Sequence, residues 1–132
     1  MDGVYYDADG NLIGVEPTPE EECEIAETIN RLAKDIYNVA EEHGWHDRER
    51  TFGDVIALCH SELSEALEAY RNDEPMFWMN KDKPDGIAVE MIDCVIRILE
   101  YLAGESVNIG ALLMIKIGYN RLRTYRHGGK KL

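Results

Sequence analysis

Two acidic residues standing where a helix ought to be apolar constrain this chain more than any other feature. In Leu58-Cys59-His60-Ser61-Glu62-Leu63-Ser64-Glu65-Ala66-Leu67, Glu62 and Glu65 are three apart, so a helix stacks them on one side. At roughly 100° per residue, Val55, Cys59 and Ala66 share the arc of Glu62, and Leu63 and Tyr70 extend it. That arc is the one a soluble helix turns to its core. An unpaired carboxylate there costs several kcal/mol of desolvation, so the fold must bring something positive to it.

A second pair repeats the arrangement. Glu90 and Asp93 interrupt Ile87-Ala88-Val89-Glu90-Met91-Ile92-Asp93-Cys94-Val95-Ile96, the most apolar helical run in the sequence, with Ile87, Cys94 and Tyr101 beside Glu90 on the wheel. Two such helices packed together would gather four carboxylates. Four acids in a partly buried place repel one another unless they share cations, and all-oxygen ligation suits Mg²⁺ or Mn²⁺. A di-iron bundle would need Glu-x-x-His ligands, and neither pair carries a histidine at that offset. Each acid taken singly would read as a solvated side chain of an acidic protein; two pairs at the same spacing on apolar arcs favour metal ligation.

Helix signals recur along the chain. Thr18-Pro19-Glu20-Glu21 combines a cap, a first-turn proline and a capping box, and Ile25, Ile29, Leu32, Ala33, Ile36, Tyr37 and Ala40 follow at helical spacing until His43-Gly44. Thr51 with Asp54 opens the helix that carries Glu62 and runs to about Arg71. A third helix is expected from near Asp85 to Ala103, apolar almost all round and therefore the most buried, and Asn108 caps a fourth reaching about Arg123. Residues 4–15 read as two extended pieces around Asp9-Gly10, and 72–84, with Pro75 and Pro84, cannot be one regular helix. The run Asp7-Ala8-Asp9-Gly10-Asn11 lacks the later glycine and closing Glu of a calcium loop. The expected architecture is all-α: a single domain of 132 residues with an extension (1–17), a four-helix core (18–124) and a flexible basic tail (125–132).

Charge narrows the partners. The net charge is −12, yet all 26 acidic residues fall in 1–105 with 8 of the 14 basic ones, leaving 6 basic residues in 106–132. So negative a chain does not suit a nucleic-acid backbone. No apolar run reaches the roughly 20 residues of a membrane span and the N-terminus lacks signal-peptide character, which points to the cytoplasm. Cys23, Cys59 and Cys94 sit in helical patterns without CxxC spacing and are expected as reduced, buried thiols.

On the fourth helix Lys116, Tyr119, Asn120 and Arg123 fall at i, i+3, i+4 and i+7 and form one polar stripe with no acid of its own. The plain reading is an exposed face; the sharper one is a phosphate site, since the arginine fork matches phosphate oxygens. Arg97, four beyond Asp93, reads as an ion-pair partner on the acid face. His60 points away from that face. Trp45 reads equally as a base-stacking platform or a core cover, while Phe77 and Trp78 read as covers.

Glu62-x-x-Glu65, then Glu90-x-x-Asp93, then Lys116…Tyr119-Asn120…Arg123 resembles the MazG-like all-α nucleoside triphosphate pyrophosphohydrolases, including the dCTP-pyrophosphatase branch, over roughly residues 25–126. The resemblance implies a four-helix bundle in which Glu62, Glu65, Glu90 and Asp93 bind Mg²⁺, or Mn²⁺, and one of them orients the attacking water. It implies that Lys116, Asn120 and Arg123, with Tyr119, hold phosphates, that Trp45 faces the base, and that the protein works as a homodimer or homotetramer. Ser61 stands where the family usually has an acid. The implied reaction converts a (d)NTP to (d)NMP and pyrophosphate, clearing the nucleotide pool; a phosphoribosyl-ATP pyrophosphohydrolase, or a non-catalytic metal-, nucleotide- or partner-binding bundle, are the alternatives.

Overall fold

The computed structural model describes residues 4–123. The basic tail from 125 on lies outside them. Among the described residues there are four helices, α1 (Pro19–Glu42), α2 (Phe52–Arg71), α3 (Ile87–Gly104) and α4 (Ile109–Leu122), and two antiparallel hairpins, β1 (Val4–Tyr6) with β2 (Leu12–Val15) and β3 (Trp78–Asn80) with β4 (Lys83–Asp85). Contacts divide the chain into two units. One holds the described residues up to Asn30 and from Asn108 on; the other is Arg31–Val107, so α1 contributes its first half to one and its second half to the other.

Helix starts follow local chemistry. At α1, Thr18 N–H donates to Glu21 Oε2 (2.8 Å) and Glu21 N–H donates to Thr18 Oγ1 (3.2 Å), a reciprocal box that satisfies two orphan donors. At α2, Thr51 and Asp54 make the same exchange at 3.1 and 2.9 Å. In the first unit Asn108 Oδ1 accepts from Ala111 N–H, and Asn30 buttresses this start of α4 by donating to Asn108 and accepting from Gly110 N–H.

The start of α3 uses a different device. Its cap, Gly86, has no side chain to offer; instead Ile87 and Ala88 N–H donate to the carbonyls of Pro75 (3.1 Å) and Met76 (2.9 Å). The close approach needs glycine, because at φ 117° a Cβ would lie 2.7 Å from both carbonyl oxygens. This tie fixes where α3 begins beside the Asn72–Pro84 segment, half of which is the β3–β4 hairpin.

In the second unit α2 and α3 pack along each other. Val55, Cys59, Glu62, Ala66 and Ala69 form the buried stripe of α2, and Cys94 and Glu100 are the buried residues of α3. The arc expected for α2 is therefore buried on one flank only: Leu63 and Tyr70 are exposed, and Ala69 takes the place assigned to them. Apart from Glu62 and Glu100 the buried positions are small side chains, which lets two helices approach closely.

The expectation of a most-buried α3 does not hold for the single chain. Met91, Ile92, Val95 and Ile98 are all exposed, because a helix apolar all round needs cover on every side and α2 covers one. Phe77 is exposed as well, rather than closing the core, and Trp78 donates from Nε1 to Glu74 Oε1 at 3.2 Å. Cys23 is exposed, against the expectation of burial, whereas Cys59 and Cys94 are buried free thiols. No helix among the described residues is long and apolar enough to cross a membrane.

Candidate metal centre and its adjoining cavity

The α2–α3 packing brings Glu62 and Glu65 to Glu90. One carboxylate oxygen from each of the three lies within 4.8 Å of the others, with Glu62 buried, Glu90 half-buried and Glu65 exposed. Neighbouring oxygens on one ion with bonds of roughly 2.1 Å stand about 3 Å apart, so holding Mg²⁺ would draw the three carboxylates together. The donor set is all oxygen and anionic, which fits a hard divalent cation and not a thiolate- or imidazole-preferring one. Asp93 lies outside this group of three, although Glu62 and Asp93 feel each other's charge.

Electrostatics register the crowding. Burial pushes the Glu90 carboxyl above its ordinary range, and the charges of Glu65 and Asp93, a hydrogen bond with Glu65 and the charge of Glu62 push the same way. Burial and the charge of Glu62 raise Asp93, while Arg97 and Lys83 pull it back. Arg97 Nε donates to Glu62 Oε1 at 2.6 Å, so the positive partner that Glu62 demands comes from α3. Beside these groups Cys59 is pushed up by burial and by its neighbour Cys94, which keeps the thiol protonated and weakly reactive.

Arg97 also helps to line a cavity of about 250 Å³ in the same unit, with Tyr37, His46, Arg50, Glu100 and Tyr101 among its walls. Glu100 is 3% exposed and accepts from Arg50 Nη2 and from His46 Nε2, the latter at 2.7 Å. His46 Nδ1 faces Glu41, so each ring nitrogen meets a carboxylate and the imidazolium form satisfies both. Burial alone would lower the His46 pKa; the hydrogen bonds and charges of Glu41 and Glu100 outweigh it and raise the pKa. The ring stacks on Tyr37 with centroids 4.5 Å apart. Gly44, at φ 75°, makes the turn that delivers His46, and a Cβ there would meet Asp47 Oδ2 at 2.8 Å.

The other predicted residues fall elsewhere. Trp45 is half exposed and is not among the cavity walls, whereas its neighbour His46 is. Lys116, Tyr119 and Asn120 lie exposed on α4, in the other unit, while Arg123, expected to continue the same helical stripe, is the exposed and extended residue that caps its end; Lys116 Nζ stands 4.8 Å from the Tyr119 ring centre and Arg123 6.0 Å from it, so both cations stand over one ring. His60 is exposed.

Sequence reasoning missed Tyr37, His46, Arg50 and Glu100. One signal was present: Asp93, Arg97 and Glu100 fall at i, i+4 and i+7, so the polar stripe of α3 runs two turns beyond the acid pair. No family model, curated protein or solved structure matches this chain.

Proposed function

We propose that this protein is a divalent-cation-dependent nucleotide pyrophosphohydrolase, converting a (d)NTP and water to (d)NMP and pyrophosphate. The observation that carries the reading is the gathering of Glu62, Glu65 and Glu90 within 4.8 Å, in the same unit as a cavity that shares Arg97 with them. Phosphoryl chemistry depends on positioning and charge neutralisation, and Mg²⁺ held by these acids would polarise phosphate oxygens and lower the pKa of a bound water. Glu90, whose carboxyl is raised by burial and by its acidic neighbours, is the candidate to accept a proton from that water. Tyr37, Tyr101 and the His46 ring give the cavity aromatic surface for a nucleoside. The assignment of phosphates to Lys116, Asn120 and Arg123, with Tyr119 beside them, and of the base to Trp45 rests on the resemblance. So do the full four-helix bundle and a cytoplasmic, pool-clearing role. A homodimer or homotetramer has support in the exposed Met91, Ile92, Val95 and Ile98 of α3, a patch that a second copy would cover.

The test is a screen of the purified protein against NTPs and dNTPs with and without Mg²⁺, detecting pyrophosphate separately from phosphate. Release of pyrophosphate that requires Mg²⁺ and is abolished by Glu62→Gln is the expected result. No turnover of any nucleotide by folded, Mg²⁺-loaded protein sinks the hydrolase reading.

A further inference from the structure

Arg97 stands between the acids and the cavity. Its Nε donates to Glu62 Oε1 at 2.6 Å, its charge acts on Asp93, and its side chain is part of the cavity wall. The other cations bonded within that wall, Arg50 and His46, share Glu100, which leaves Arg97 as the group whose partner belongs to the acid cluster. Glu62 is thus wanted twice, by Arg97 and by the cation that the three-carboxylate group would take.

A guanidinium on a ligand carboxylate can serve in two opposite ways. It can hold one oxygen and orient the other towards the ion, as partners of metal ligands often do. Alternatively it can stand in for the ion. Burial decides between them: Glu62 is 8% exposed, so without a cation it needs a positive partner inside the protein. A divalent ion cancels two of the group's three carboxylate charges and engages Glu62 itself, so the hold on a guanidinium a few ångströms away weakens, and its own long side chain gives it somewhere to go. The open cavity that it already lines is that place.

We infer that Arg97 is the internal counter-ion of this site: it satisfies Glu62 while no divalent cation is bound, yields Glu62 when one binds, and then presents its charge to an anionic, phosphate-bearing ligand in the cavity. The inference rests on the cation-binding reading of Glu62, Glu65 and Glu90. It makes cation and anion binding mutually reinforcing, since the first frees the receptor for the second.

The experiment is Mn²⁺ binding at low ionic strength, followed by loss of the free-ion electron paramagnetic resonance signal, on the unsubstituted protein, Arg97→Gln and Arg97→Lys. With the competitor removed, Arg97→Gln binds Mn²⁺ about tenfold tighter, and Arg97→Lys, which keeps the charge, stays near the unsubstituted protein. Equal or weaker binding by Arg97→Gln, while the unsubstituted protein binds, overturns the inference and makes Arg97 the group that orients Glu62 for the ion. An unsubstituted protein that binds no Mn²⁺ overturns the cation-binding reading itself. A second readout needs no folded variant: in the unsubstituted protein the Arg97 Nε–H nuclear magnetic resonance signal shifts and its solvent exchange quickens as Mg²⁺ is added. A signal unmoved at Mg²⁺ saturation overturns the inference.

Discussion

At the scale of single residues, two positions carry predictions that the site's chemistry depends on. Gly86 combines φ 117° with carbonyl oxygens 2.7 Å from where a Cβ would sit, so Gly86→Ala should cost about 2–3 kcal/mol, read as a lower urea midpoint with the slope unchanged. His46 has a raised pKa in the folded chain, so its contribution to stability is fully present below its unfolded pKa and is lost as pH rises through the folded value. The stability gap between the unsubstituted protein and His46→Asn should therefore narrow as pH rises from about 6 to 8.5; a gap that widens over that range would contradict the His46–Glu41–Glu100 network. Some of this detail was legible in advance. Glu62 falls on the buried stripe because helical periodicity places it with Val55, Cys59 and Ala66, but Leu63 and Tyr70 turn outward because only packing decides how wide a buried stripe is.

At the scale of elements, the α2–α3 pair is where stability and function oppose each other. Glu90 and Asp93 have raised pKa values, so ionising them disfavours the folded state, and stability of the cation-free protein falls as pH rises through the range where they ionise. Removing one charge should relieve this: Glu90→Gln is expected to stabilise the cation-free protein by ~0.5–2 kcal/mol in thermal unfolding with EDTA, and to lose most of the stabilisation that added Mg²⁺ gives the unsubstituted protein. The Mg²⁺-induced rise in melting temperature should also be larger at pH 7.5 than at pH 5, because the raised pKa values of Glu90 and Asp93 let protons compete better with the ion as pH falls. The helix starts at Thr18, Thr51 and Asn108 were readable because a cap and its partner lie three residues apart. The sequence places the start of α3 near Asp85 without a cap, and what satisfies its N–H groups, the carbonyls of Pro75 and Met76 across a hairpin, was not readable.

At the scale of the whole molecule, the buried apolar set among the described residues is mostly small side chains, while Met91, Ile92, Val95 and Ile98 remain exposed on one helix. An apolar surface of that kind marks an interface, so sedimentation equilibrium should find a self-associated species, and Val95→Lys should shift it towards monomer with helicity retained. A monomer at all concentrations, unaffected by Val95→Lys, would remove the support for a homo-oligomer. What the amino-acid order determined by itself is the set of short-range facts: four helices, the capped starts of three of them, and acids spaced to share one side of a helix. Those follow from bonds and angles that span a single turn. Tertiary structure alone decided that Arg97 pairs with Glu62, 35 residues away, rather than with an acid of its own helix, that Glu100 draws His46 from 54 residues away and Arg50 from 50, and that three of the four acids form the close group. The reason is physical: the relative register of α2 and α3 is set by how their small side chains pack and by where Gly86 anchors α3. No local pattern encodes that register, and every pairing across the two helices depends on it.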